Sequence, residues 1–382
     1  MRHALRLAAP LLTIAGIALA TASPALAETV PGRLAPTTLP TASKLRPPPS
    51  TPLKIIPFQP LLTFVPLPAD MTGWTAITSG PSKGGASLAT HNGATFLFVR
   101  GGDDDIYAAP FDPAHIGPVA SSNWTSFGVK TTSEPECRTY ERKFDGVVYQ
   151  EGVCAYLGAT GNAMYRGFGI ETKIVTGLQP TDMGGSHAGA APTFLKAPSM
   201  GGVENASYIT NLQFGVWDGA SGLFVKNDGW GVGFGAIGPS PNATKWAKLS
   251  TTFAGAPGCA DDICAVISGK HIQLLKIRGD GSAPQMLGVS PDLDAAPSGK
   301  PAVVVMSGYK AAVVVRGADG HVQEALFDSS KDTFTGGWHD EKGYITKGST
   351  PACTSVNTQP VCVVQGGDGK LYARALTGAS GL

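Results

Sequence analysis

The sequence predicts an all-β fold: a single β-propeller, most simply of six blades, with the ring closed by pairing the N- and C-terminal strands. Three observations lead there. A unit of about 50 residues recurs along the chain, each copy reads as a β-hairpin, and the composition is rich in turn residues and poor in charge. Gly (50) and Pro (30) together interrupt regular structure throughout the 382 residues, and only 15% of positions are charged, against ~25% in ordinary soluble domains. That composition excludes a helical bundle or a long coiled coil, while 42% apolar content supplies a large core and excludes wholesale disorder. Lys and Arg number 29 against 28 Asp and Glu, so no basic excess points to nucleic acid or to an anionic membrane surface.

Residues 1–27 read as a secretory signal. Arg2 and Arg6 give the positive start, Leu7 to Ala20 is uncharged and apolar, and Ala25-Leu26-Ala27 has the small-x-small form of a cleavage site. The apolar run is short for a bilayer span, Pro10 and Pro24 flank it, and no Cys follows it to carry a lipid. Cleavage after Ala27 leaves 27 basic against 28 acidic residues in a secreted or periplasmic protein. No later stretch is long and apolar enough for membrane insertion. Residues 28–69 hold 11 Pro in 42 positions, including Pro47-Pro48-Pro49, and read as a disordered polyproline-rich stalk. The propeller domain then occupies 70–382.

Within it, Phe98-Val-Arg-Gly-Gly-Asp-Asp-Asp-Ile-Tyr107 matches Val363-Val-Gln-Gly-Gly-Asp-Gly-Lys-Leu-Tyr372, and Val314-Val-Arg-Gly-Ala-Asp-Gly-His-Val-Gln323 is a third copy. Weaker copies end at Tyr165 and Phe224, and a degraded one lies between Cys264 and Lys276. The closing positions are spaced 58, 59, about 50, about 49 and 49 residues apart. In each copy an apolar strand enters a Gly/Asp turn that accepts positive φ, and an alternating strand leaves it. A further strand precedes most copies, such as Pro301 to Met306, and a Trp-bearing strand follows several, at Trp124, Trp246 and Trp338. Four strands per unit is the pattern of a propeller blade. The last copy ends at Leu376 without its Trp strand, and Gly73-Trp-Thr-Ala-Ile77 is a Trp strand without a hairpin; pairing the two completes the ring and hides its edges. Blades two and three carry long insertions, which leaves five or seven blades as alternative counts.

Six Cys behind an export signal point to disulfides. Cys137, Cys259 and Cys353 fall at the first strand of a copy, and Cys154, Cys264 and Cys362 begin the second. The repeat therefore pairs Cys137–Cys154, Cys259–Cys264 and Cys353–Cys362. Zinc is the competing reading, but there is no CxxC, and no His stands at ligand spacing beside the cysteines.

Chemistry-bearing motifs are few. There is no GxSxG, no HExxH, and no GxGxxG opening a helix, so no metal and no cofactor is expected. Asp103-Asp104-Asp105 sits on a turn and reads as a solvated turn before it reads as a calcium site. Glu134, Glu136, Glu141 and Asp145 cluster between two strands, and Asp340 and Glu341 follow His339; a paired-acid hydrolase site is the sharp reading of each group and surface charge the simpler one. Aromatics recur at fixed blade positions, among them Tyr107, Tyr165, Tyr372, Trp124 and Trp338. Packing between blades is the simpler reading of such a pattern. The functional reading is that sugar C–H faces stack on these rings near the blade junctions, with Arg100 and Arg316 orienting hydroxyls.

The unit Val-Arg-Gly-x-Asp-x-x-[Ile/Leu/Val]-Tyr followed by Trp resembles the repeat of bacterial PLL-type lectins. The resemblance spans roughly residues 73–376. It implies a secreted or surface-facing β-propeller that binds fucose and related sugars in pockets between blades. The family usually has Trp where Tyr107, Tyr165 and Tyr372 stand, and a His where Ala108, Arg166 and Ala373 follow them. The leading expectation is thus an exported, non-enzymatic, lectin-like propeller with a glycan or polysaccharide partner at inter-blade or funnel sites. A glycoside hydrolase or polysaccharide lyase acting at the central funnel is the alternative that unlike blades favour. An envelope protein-interaction module presented on the stalk is the third.

Overall fold

A computed structural model of the chain describes residues 71–378, apart from 145–146, 171–173, 176–178, 187–189, 197–199, 204–205, 221, 234–235, 240–244 and 309. The expected signal and stalk lie outside the described residues, as does Asp145.

Six antiparallel sheets are arranged as the blades of a propeller. Blade 1 runs from the inner strand Ala86–His91 through Ala94–Arg100 and Asp105–Phe111 to the outer strand Thr125–Lys130. Blades 2 to 5 repeat this order over 136–186, 193–252, 258–289 and 298–344. Blade 6 is built from both ends of the domain. Ala352–Val356, Gln359–Gln365 and Leu371–Ala375 come from the C-terminal side, and Thr75–Ala76 closes it from the N-terminal side, Thr75 opposite Ala373 and Ala76 opposite Tyr372. Six blades, closed as the orphan Trp strand requires, is therefore the architecture. The insertions in blade 3 are extra lengths of strand. Ala206–Trp217 and Gly222–Gly233 run on together, and Met200–Val203 and Ala236–Pro239 pair with their extensions.

Each second strand is covered on both faces, because a blade packs between two neighbours. That is why these strands read as unbroken apolar runs. Phe96 to Val99, Ala311 to Val315 and Val361 to Val364 are all buried. The core is accordingly six inter-blade layers. Between blades 1 and 2, Phe98, Phe127 and Phe168 meet with ring centroids 5.3–5.8 Å apart. Between blades 2 and 3, Tyr165 stacks on Phe214 at 5.9 Å.

The repeated Gly-Gly-Asp…Tyr motif has a direct structural cause. In blade 6, Asp368 accepts the Lys370 N–H at 3.0 Å and the Tyr372 hydroxyl at 2.9 Å. In blade 1, Asp103 does the same for the Asp105 N–H and the Tyr107 hydroxyl, both at 3.1 Å. The tyrosine ring lies over the turn's first glycine, so a side-chain carbon at Gly101 or Gly366 would overlap it. Asp104 and Gly369 take the left-handed conformation, with φ of 70° and 79°.

Three of the repeated tryptophans stand one residue before their outer strand rather than within it: Trp74, Trp124 and Trp246. Three indoles form a circumferential stitch, two from that position and Trp338 from within its strand. The Trp74 indole of blade 6 donates to Glu341 O of blade 5 at 3.3 Å, Trp246 of blade 3 to Gly184 O of blade 2 at 2.7 Å, and Trp338 of blade 5 to Pro291 O beyond blade 4 at 2.8 Å. Each indole N–H finds its acceptor on the neighbouring blade, buried for Trp74 and exposed for Trp246 and Trp338.

All three expected disulfides are formed. Each joins directly opposite residues of the first two strands, and they fall in blades 2, 4 and 6, every second blade of the ring.

Candidate functional site

The inner strands line a central cavity of about 1300 Å³. Its wall carries Lys83, Arg100, Arg138 and Lys300 against Glu134, Glu136 and Asp261, together with hydroxyls such as Thr90, Ser298, Thr350 and Thr354. The charges are nearly balanced, and most are fixed.

Glu136 opens the inner strand of blade 2, Glu136–Phe144, and is the hub of the wall. Its carboxylate accepts the Thr193 hydroxyl at 2.8 Å and the Phe194 N–H at 3.2 Å, both from blade 3. It pairs with Arg138 at 3.1 Å and with Lys300 of blade 5. Arg138 also donates to Cys259 O of blade 4 at 2.5 Å. Blades 2 and 5 stand opposite each other in a six-bladed ring, so the Glu136–Lys300 pair spans the axis. Burial alone pushes the Glu136 carboxyl up, but the Lys300 and Arg138 charges outweigh it and hold it below its ordinary value.

Glu134, two residues earlier and partly exposed, behaves oppositely. One of its oxygens accepts the Gly85 N–H and, at 3.3 Å, the Thr350 N–H. Burial of the carboxyl nonetheless raises its pKa above the ordinary value. Two backbone donors on one oxygen direct any proton to the other. A side-chain carbon at Gly85 would overlap both Glu134 and Thr350, so glycine is what lets these three segments meet.

Surface charge therefore fails as the reading of Glu136, and equally of Glu341, whose side chain is 0% exposed. Sequence offered no sign of Lys300 as the partner, because a residue from the opposite blade has no fixed spacing to it. Asp103, Asp104 and Asp105 are engaged within the fold. Asp104 pairs with Arg100 and Lys83, Asp103 with Lys130, and Asp105 accepts Ser126 Oγ and the Val129 N–H. Among the described residues, no group of three His, Cys, Asp or Glu is arranged to hold a metal ion.

The remaining residues singled out in the sequence separate by environment. Tyr165 and Tyr372 are buried between blades. Arg316 is buried too, donating to Ile345 O at 2.7 Å and Ser298 Oγ at 2.8 Å beneath the Tyr344 ring. Arg100 lines the cavity while holding Asp104 and Thr132 O. Tyr107 and Trp124 are partly exposed and pack against the same cluster, between blades 6 and 1. Burial, with Asp103 beside it, pushes the Tyr107 phenol up to about 12, so it stays a neutral donor. Trp338 is partly exposed at the junction of blades 4 and 5.

No protein-family model and no curated protein matches this chain. Among solved structures, it is similar to the fucose-specific lectin from Aleuria aurantia in a mercury-derivative form, with a TM-score of 0.44 and 13% identity over 77% of this chain and 91% of that one. It is similar to AofleA from Arthrobotrys oligospora, with a TM-score of 0.42 and 9% identity over 77% and 83% of the two chains. It is also similar to a GH43_1 enzyme from Xanthomonas citri, with a TM-score of 0.39 and 13% identity over 79% and 90%.

Proposed function

We propose that this chain is an exported carbohydrate-binding propeller whose principal glycan site is the central cavity. The observation that carries the reading is the character of the wall: four cationic and three acidic side chains, most of them held by ion pairs or backbone hydrogen bonds, among hydroxyls and strand-edge backbone groups. A wall with little net charge and many fixed donors and acceptors suits an uncharged polyhydroxylated ligand better than an anion or a cation. Groups already held in place lose little freedom when a sugar hydroxyl joins them. Export through residues 1–27 fits the three disulfides, which form in oxidising compartments. Tyr107 and Trp124, at the junction of blades 6 and 1, are the outer contacts we assign to a longer glycan.

A second reading has one observation in its favour. Glu134 and Glu136 share a wall, and their surroundings push their proton affinities apart, as in an acid paired with a carboxylate. Glycoside hydrolysis would then use Glu134 as the proton donor.

Glycan-array binding by the exported, oxidised protein tests the proposal. A restricted set of bound glycans is expected, and Ala254→Trp should abolish their binding. Ala254 is exposed and borders the cavity, so tryptophan there fills space without disturbing the core. No glycan bound, or binding unaffected by Ala254→Trp, would overturn it. Release of reducing ends from a bound glycan, lost in Glu134→Gln, would decide for the hydrolase.

A further inference from the structure

Away from the cavity, at the seam where blade 6 closes on blade 5, two glutamates are buried together. Glu324 lies on the third strand of blade 5, His321–Asp328, and Glu341 on its outer strand, Thr333–Tyr344. They are 1% and 0% exposed. The Glu341 carboxylate accepts the N–H groups of Thr377 and Gly378, each at 2.7 Å, and the Thr377 hydroxyl at 3.1 Å. Arg374 of blade 6 approaches it at 3.5 Å and the half-exposed His339 at 3.6 Å.

Glu324 has far less support, since the one backbone N–H beside it, that of Gly378, is already given to Glu341. Neither of its oxygens makes a hydrogen bond of good geometry. Its neighbours are the Glu341 carboxyl and the backbone of Gly378, where any side-chain carbon would overlap it. The titratable groups beside it are Glu341 and His339 from the adjoining strand, and the nearby cation, Arg374 of blade 6, bonds Glu341 rather than Glu324. Two carboxyls buried together, with the one guanidinium on Glu341 alone, cannot both be ionised cheaply. The proton belongs on Glu324, because Glu341 is the carboxyl that three donors face.

We infer that Thr377–Gly378 is a latch fastening the end of blade 6 to blade 5, and that it holds only while the Glu324–Glu341 pair retains one proton. The device is pH-sensitive in a defined direction. Burial, reinforced by the Glu341 charge, raises the Glu324 carboxyl from 4.5 to about 8. The latched state keeps this proton and the released state gives it up. The latch is therefore at full strength below pH 4.5, weakens as pH rises, and changes no further above about 8. Between those limits its closing equilibrium falls about tenfold per pH unit. The C-terminal end of the ring would be fastened in acidic surroundings and loosened in alkaline ones.

Hydrogen exchange of the Thr377 and Gly378 amides tests this in the exported, oxidised protein. The quantity to follow is protection relative to the intrinsic rate, between pH 5 and 9. Protection should fall about tenfold per pH unit up to about pH 8 and then level off, while Glu324→Gln, neutral at every pH, should show no such fall. Protection that is flat in the wild type, or equally steep in Glu324→Gln, would overturn the inference. In the wild type alone, carboxyl-carbon NMR should show Glu324 titrating near 8, with the Thr377 and Gly378 amide shifts following the same midpoint. Amide shifts without that midpoint would also overturn it.

Discussion

Replacing Lys300 by methionine removes the cation that meets Glu136 across the propeller axis while keeping most of the side-chain volume. The two side chains are 16% and 9% exposed, so water does little to screen them. Breaking a buried pair by deleting one partner costs about 3–5 kcal/mol, because the remaining charge is stranded. Arg138, Thr193 and the Phe194 N–H still serve Glu136, which puts Lys300→Met near the lower end, about 3 kcal/mol. With an unfolding entropy of about 2.1 cal/mol/K per residue over roughly 300 residues, that is a fall in Tm of about 5 °C. Calorimetry or thermal circular dichroism at pH 7 reads it. Adding Glu136→Gln should recover only part of the loss, since a neutral amide removes the carboxylate left without Lys300 but also takes the carboxylate partner from Arg138. The pH dependence has a definite sign. Glu136 is held below its ordinary value in the folded protein, so its contribution is present above pH 4.5 and disappears as pH falls through the folded value. Lys300→Met should flatten that acid limb. A Tm change below about 1 °C at pH 7, or a double variant no more stable than the single one, would refute the view that the pair is a structural bolt across the axis.

Two further outcomes are expected. Tyr372→Phe removes the buried hydroxyl that Asp368 accepts and should cost about 1–2 kcal/mol by denaturant unfolding, with less lost in Tyr107→Phe, whose ring is partly exposed. Cys-to-Ala pairs, removing one disulfide at a time, should each destabilise by about 2–3 kcal/mol in the loop-closure account, with Cys137–Cys154 largest and Cys259–Cys264 smallest because they close loops of 17 and 5 residues.

The fold was legible because blades announce themselves locally. The turn Asp, its glycines and the tyrosine four residues on form one small unit, so Phe98–Tyr107 and Val363–Tyr372 look alike wherever they stand in the ring. The orphan strand around Trp74 and the hairpin ending at Leu376 likewise had only each other to pair with, and the disulfides followed from strand order. The site was not legible in the same way. Glu136 meets residues from blades 3 and 5, and Glu341 meets the end of blade 6; such contacts leave no periodic mark. A charged residue at the start of an inner strand reads as surface until the ring is closed around it. The repeated aromatics carried a different ambiguity. Trp74, Trp246 and Trp338 recur because their indoles stitch one blade to the next, a structural cause that yields the same sequence pattern as a row of sugar platforms.

On the proposed function, glycan enters the cavity at the propeller axis. The most direct measurement is a crystal structure of the oxidised protein with the best-bound oligosaccharide from the array. Sugar density is expected inside the central cavity, with hydroxyls against Glu134, Arg138 or the Thr350 segment. Sugar seated only at the blade junctions beside Tyr107 and Trp124 or beside Trp338, with the cavity left to solvent, would contradict it.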